Sequence, residues 1–128
     1  MAIGRRRCLI AMGRLTTHVL DAAHGCPGSA ITVELYRVEG AQLQLLSRVV
    51  TNHDGRCDAP ILQGDDYRSG VYQLQFHAGD YYRARGVQLP DPAFLDVVVL
   101  RFGIDAGQDH YHVPLLISPY SYSTYRGS

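Results

Sequence analysis

The sequence predicts an all-β sandwich of seven to eight strands with one short helix. Three observations predict it. Apolar residues recur with a period of two along most of the chain, which is the repeat of a strand and not of a helix. Turn-forming residues such as Asp54-Gly55, Gly64-Asp65-Asp66 and Ala106-Gly107 separate the alternating runs. A single stretch, Gly79 to Gly86, lacks β-branched residues, carries Asp80 near its start and ends on glycine, as a short helix does.

Taken in order, Leu15 to Leu20 reads as a first strand and Asp21 to Ser29, with Gly25, Pro27 and Gly28, as a loop. Ile31, Val33 and Leu35 share one face of a second strand, and Leu43 to Val50 forms a third. Asp54-Gly55 is a strong turn signal. A short strand is expected near Arg56 to Ile61, before Gly64-Asp65-Asp66 breaks the chain. Val71 to His77 alternates cleanly, and the helix of Gly79 to Gly86 follows. Pro90-Asp91-Pro92 blocks regular structure. Phe94 to Phe102 is almost continuously apolar, the pattern of a strand buried on both faces. A turn at Ala106 to Asp109 leads into the last strand pair, with His110 to Ile117 as the penultimate strand.

A chain of 128 residues fits one domain with one core. Residues 13–128 carry the pattern. Residues 1–12, with the basic cluster Arg5-Arg6-Arg7, are expected to be a disordered extension. Zero formal net charge points away from nucleic acid and from anionic membrane surfaces. No run approaches the roughly 18 apolar residues of a membrane span. Three cysteines without CxxC spacing argue against a disulfide framework and for a reducing compartment, so a cytoplasmic location is expected. All 12 basic residues are arginine, which excludes lysine chemistry.

The chemistry concentrates near the C-terminus. On the penultimate strand Tyr111, Val113, Leu115 and Ile117 form a core face, while His110, His112, Pro114 and Leu116 form the other. Two imidazoles and a proline suit a cleft or a subunit interface better than a packed core face. His18 lies on the Thr16/Leu20 face of the first strand, and Arg56 follows a turn from which a side chain can reach a cleft. Each has a plainer reading: a hydrogen-bonded strand histidine, a solvated arginine. His110-x-His112 has the same-face spacing of some metal sites but no third ligand close in sequence, so no metal is assigned. Cys57 beside Arg56 lacks a partner motif for an activated thiolate. The Tyr- and Ser-rich tail from Ser118 to Ser128 holds too many aromatics for a disordered end and is expected to be ordered beside the site.

Two segments carry a family resemblance. His18-Val19-Leu20-Asp21, with Gly25-Cys26-Pro27-Gly28 and Ile31-Thr32-Val33, resembles the N-terminal signature of the transthyretin family. The run from His110 to Ser123, HYHVPLLISPYSYS, resembles its C-terminal signature. The resemblance covers roughly residues 13–128 and implies the transthyretin-like (prealbumin-like) β-sandwich. The family has a hormone-carrier branch and a branch of hydrolases acting on 5-hydroxyisourate. Tyr125-Arg126-Gly127-Ser128 resembles the hydrolase hallmark, and carriers lack histidines at the positions of His18 and His112.

The resemblance therefore implies a cofactor-free hydrolysis of 5-hydroxyisourate to 2-oxo-4-hydroxy-4-carboxy-5-ureidoimidazoline in urate breakdown. Catalysis would fall to His18, Arg56 and His112, and substrate binding to Tyr125, Arg126, Gly127 and Ser128. In this reading the two histidines activate water, Arg56 meets the developing negative charge, and Arg126 recognises a substrate carbonyl. Tyr125 and Ser123 hydrogen-bond the ring or place the water. The resemblance also implies a homotetramer, a dimer of dimers with sites in the channel between dimers. Pro114, Leu116 and Tyr122, apolar groups on mixed faces, agree with such a surface. The alternatives are a small-molecule carrier without turnover and a metal-dependent hydrolase using His18, His110 and His112.

Overall fold

The computed structural model describes residues 13–127; the extension expected over residues 1–12 and the site role expected of Ser128 lie outside the described residues. Among the described residues nine strands and one α-helix occur in the order β1 (Arg14–Asp21), β2 (Cys26–Pro27), β3 (Thr32–Glu39), β4 (Gln42–Val50), β5 (Leu62–Gln63), β6 (Gly70–Phe76), α1 (Ala78–Ala84), β7 (Val98–Ile104), β8 (His110–Ile117) and β9 (Tyr122–Thr124). Seven of these strands are three residues or longer, in line with the expected sandwich. One sheet has the order β2-β1-β8-β9, with β5 pairing the start of β1. The other has the order β4-β3-β6-β7.

Between the sheets lies one core. Leu15 and Val19 of β1, Val33 and Leu35 of β3, Leu74 and Phe76 of β6, and Leu115 and Ile117 of β8 are each at most 1 % exposed. These are the period-two positions of the sequence, buried because each sheet turns one face to the other. The opposite face of β1 and β8 is left free for polar side chains.

Helix α1 is held by a polar knot. Asp21, at the end of β1, accepts hydrogen bonds from the Tyr81 and Tyr82 hydroxyls at 2.7 and 2.8 Å. It also accepts from the backbone amides of Ala23 and His24 and from the His24 ring. Burial alone would raise the Asp21 pKa, but the hydrogen bonds from Tyr81, His24 and Tyr82 outweigh it and hold the carboxyl below its ordinary value.

Two expected strands differ. The apolar run from Phe94 becomes strand only at Val98, and it is buried on one face, not two. Strand β7 is an edge paired only with β6, so Val99 is exposed while Val98 and Leu100 face the core. Residues before it wrap the helix start instead: the Gly79 amide donates to the Asp96 carbonyl at 2.8 Å. The short strand expected at Arg56 to Ile61 does not form. Arg56 makes one isolated bridge to His18, and pairing with β1 resumes only at Leu62–Gln63. The helix runs Ala78–Ala84, one to two residues earlier than expected, with Gly86 beyond its end at φ 83°.

Candidate active site

Strands β1 and β8 run parallel, with Arg14 opposite His110, Thr16 opposite His112 and His18 opposite Pro114. Residues opposite one another in a ladder share a face. This pairing of strands far apart in sequence therefore collects Thr16, His18, His110 and His112 on the outer face of one sheet.

Arg56 is delivered by a clamped turn. The Asn52 side-chain oxygen accepts from the amides of Asp54 and Arg56 at 2.9 and 3.1 Å. Asn52 N–H donates to the Arg56 carbonyl, and the Val19 amide donates to the Gly55 carbonyl at 2.8 Å. Gly55 has φ 76°, and a Cβ there would collide with the Val19 carbonyl oxygen. Only glycine lets the turn lie this close to β1. The Asp-Gly signal thus has a site role: it sets Arg56 beside His18.

A pocket of about 340 Å³ opens on this face, lined by Arg14, Thr16, Thr17, Arg56 to Pro60, His110 and His112. The two histidines that line it, and His18 on the same sheet face, are oriented. The His18 Nε2–H donates to the Asp54 carbonyl at 3.0 Å, which leaves Nδ1 as its basic nitrogen. His112 Nδ1 and His110 Nε2 both hydrogen-bond Thr16 Oγ1, at 2.8 and 2.9 Å. Burial first, and then the Arg56 charge, lower the His18 pKa below 6.5. His112 is lowered by burial, then by His110, Arg56 and His18. His110 is lowered by burial and by Arg14 and Arg126. All three rings are therefore mostly neutral near pH 7 and able to accept a proton. Cys57 lines the same pocket, but burial and Asp58 push its thiol up, so it is a poor nucleophile there. Among the described residues no group of three His, Cys, Asp or Glu side chains is arranged to hold a metal ion.

The tail is ordered through Gly127, as expected. Strand β9 pairs with β8 at Leu115–Thr124, Leu116–Ser123 and Ile117–Tyr122. The same register resumes at His112–Gly127, where the Gly127 amide donates to the His112 carbonyl at 2.7 Å. The interruption falls at Pro114, which has no N–H to offer the tail. In compensation the Thr124 hydroxyl donates to the Pro114 carbonyl at 2.7 Å.

The other tail residues do not all reach the histidines. Ser123 lies opposite Leu116, on the same face as His112 but farther along the strand. Arg126 turns to the opposite side: its guanidinium lies 4.1 Å over the Tyr111 ring and donates to the His110 carbonyl at 3.2 Å. Tyr125 and Arg126 line a second groove of about 400 Å³ with Val99, Phe102 and Tyr122. Within this chain, then, His18, Arg56, His112 and Gly127 come together, and Tyr125 and Arg126 border a different cleft.

Residues 15–127 match the sequence profile of the HIUase/Transthyretin family. The chain belongs to this family. A 5-hydroxyisourate hydrolase from Pseudomonas aeruginosa is 79% identical over 117 residues, covering 91% of this chain and 93% of that one. The crystal structure of an (S)-allantoin synthase superposes with a TM-score of 0.85 at 45% identity. That match covers 91% of this chain but only 44% of the synthase, so the chain spans less than half of that protein's length. The structure of Klebsiella pneumoniae 5-hydroxyisourate hydrolase superposes with a TM-score of 0.76 at 35% identity, covering 91% of this chain and 99% of that one. The sandwich is thus the transthyretin-like fold anticipated from the two signatures.

Within the HIUase/Transthyretin family fold, sequence reading passed over Thr16, which touches two of the histidines. The signal was present as Thr16-Thr17, two hydroxyls on opposite faces of one strand, but the ladder partner of β1 was needed to give it meaning. Asp21 was passed over as well, because its partners Tyr81 and Tyr82 lie some 60 positions away.

Proposed function

We propose that this chain hydrolyses 5-hydroxyisourate to 2-oxo-4-hydroxy-4-carboxy-5-ureidoimidazoline, opening the six-membered ring at its amide. The observation that carries this reading is that His112 and Arg56 line one pocket while His18 is bridged to Arg56 at its side, on the same sheet face. The names of relatives up to 79% identical agree with it. Amide hydrolysis needs a water made nucleophilic near neutral pH and a counter-charge for the tetrahedral oxyanion. His112 Nε2 takes a proton from water as the oxygen attacks the ring carbonyl carbon. His18 accepts that proton from His112 on its basic Nδ1 and then delivers it to the departing ring nitrogen. Arg56 is permanently charged and carries several donors, so it binds substrate oxygen and stabilises the oxyanion. As the C–N bond breaks, the nitrogen takes that proton and the ring opens; the new carboxyl group stays on the same product molecule and loses the second proton of the water to solvent. No cofactor enters this scheme.

Gly127 packs the tail on His112, and Tyr125, Arg126 and Ser128 complete substrate binding, with Ser123 in reach of water. Tyr125 and Arg126 border a second cleft in the single chain, so this part of the scheme rests on assembly into a homotetramer, a dimer of dimers with sites between dimers. The exposed apolar Val97, Val99, Tyr120 and Tyr122 support such assembly. A cytoplasmic setting fits the free thiols of Cys26 and Cys57. The carrier reading has no observation in its favour, since a binding protein needs no pair of neutral imidazoles in its pocket. The deciding experiment follows the ultraviolet decay of 5-hydroxyisourate freshly made from urate. A rate proportional to protein, above the spontaneous decay, is expected. A decay no faster than spontaneous, from folded protein, refutes the hydrolase reading.

A further inference from the structure

Thr16 stands between two imidazoles, and its hydroxyl has only one hydrogen to give. Oγ1 lies 2.9 Å from His110 Nε2 and 2.8 Å from His112 Nδ1. With both rings neutral, the hydroxyl donates to one and accepts from the other. The tautomers of His110 and His112 are therefore coupled: a proton on His112 Nδ1 requires a bare His110 Nε2, and the converse. The neighbouring Thr17 shows what a purely structural threonine does on this strand. Its hydroxyl donates to the Val113 carbonyl at 2.6 Å in the core. Among the described residues, the side-chain hydrogen bonds of Thr16 go only to the two histidines.

Direction follows from the role proposed for His112. With Nδ1 taken by Thr16, His112 can meet water only through Nε2. For Nε2 to hold a lone pair, Nδ1 must hold the proton and donate it to Thr16. The Thr16 hydrogen then goes to His110 Nε2. Arg14 and Arg126, the charged groups near His110, oppose a second proton on that ring, so its one proton can stay on Nδ1 and leave Nε2 to accept. We propose that Thr16, anchored on His110, is a positioning residue that holds His112 in its Nδ1–H tautomer and leaves Nε2 free to take a proton from water. The inference rests on the reading of His112 as a base.

The test compares Thr16→Val, which keeps the shape and loses the hydroxyl, with Thr16→Ser, which keeps the hydroxyl. Ring nitrogen shifts of His112, measured by long-range proton–nitrogen NMR on substrate-free protein, report the tautomer without any turnover. The wild type and Thr16→Ser are expected to show Nδ1–H, and Thr16→Val a mixture. The kcat of Thr16→Val should fall roughly tenfold, the lower end for a partner that orients a working histidine, with KM and melting temperature nearly unchanged. His110→Phe removes the anchor and lets the Thr16 hydrogen turn onto His112 Nδ1, so it should show a similar loss. The double variant should be no worse than either single one. An Nε2–H tautomer in the wild type, a wild-type kcat in Thr16→Val, or strictly additive losses would overturn the proposal. If Thr16→Val does not fold, the wild-type spectrum and His110→Phe still decide it. A wild type inert toward 5-hydroxyisourate but locked in the Nδ1–H tautomer would refute the hydrolase reading while leaving the Thr16 lock standing.

Discussion

Gly127 rests directly on His112. Its amide donates to the His112 carbonyl at 2.7 Å, and a Cβ on Gly127 would come within 2.8 Å of His112 Cδ2. No other residue can sit there without moving the imidazole or the tail, and an imidazole tied to Thr16 cannot swing freely.

Gly127→Ala should therefore lower kcat by about tenfold, since small misplacements of a base cost rate steeply. Stability should change by less than about 1 kcal/mol, because the tail end is peripheral. Steady-state kinetics alongside thermal melts checks the split; equal losses in both would show that the tail supports the fold and not the imidazole.

Removal of the His112 ring is expected to cost more. His112→Ala should lose a factor of about 10² or more in kcat/KM, within the usual range for a general base. Near-normal turnover in this variant would assign the proton transfer to His18 alone.

The pH profile should carry the mark of Arg56. Both His18 and His112 are pushed below pKa 6.5 by burial and by this guanidinium. A base works only when unprotonated, so activity should fall on the acid side, with the midpoint below pH 6.5. Replacing Arg56 by Gln removes a positive neighbour, so the surviving activity should show its acid limb moved to higher pH. A limb that stays in place would mean that burial and the neighbouring imidazoles, not Arg56, set these pKa values.

Asp21 predicts the acid limit of stability. Its folded-state pKa is lowered from 3.8, so its contribution is fully present above that value and is lost as pH falls through the folded pKa. Asp21→Ala leaves the Tyr81 and Tyr82 hydroxyls without their carboxylate, and should cost about 3 kcal/mol or more. Chemical denaturation of the two proteins at neutral pH and in acid measures this. The gap between them should shrink in acid; a constant gap would refute the linkage.

Assembly is tested by dilution. If the tail residues complete a site shared between subunits, specific activity should drop below the concentration at which tetramers dissociate. Light scattering identifies that range, and constant specific activity from dissociated chains would refute shared sites.

Strand identity was legible wherever one face is buried. Leu15, Thr17 and Val19 alternate with Thr16, His18 and Leu20 in the sequence as they do in β1, because the pleat has a period of two. The same rule failed for Phe94 to Phe102, since an apolar run reads alike whether a strand is central or an edge with an exposed face. It failed for Arg56 to Ile61 because a two-residue bridge leaves no periodic trace.

For the candidate site, sequence alone determined the ingredients: His18, Arg56 and His112 on a recognisable face or turn, and Gly127 through the family resemblance of the tail. Their joint meaning was decided only by tertiary structure. That β1 lies parallel to β8, in the register that sets Thr16 against His112, depends on contacts between residues 96 positions apart. That Arg126 stacks on Tyr111 while Gly127 meets His112 follows from the pleat of a tail whose pairing is interrupted at Pro114. Local sequence determines which face a side chain occupies, because that depends on the residue's own backbone. It does not determine what lies opposite, because a ladder partner is selected by the free energy of burying the whole core.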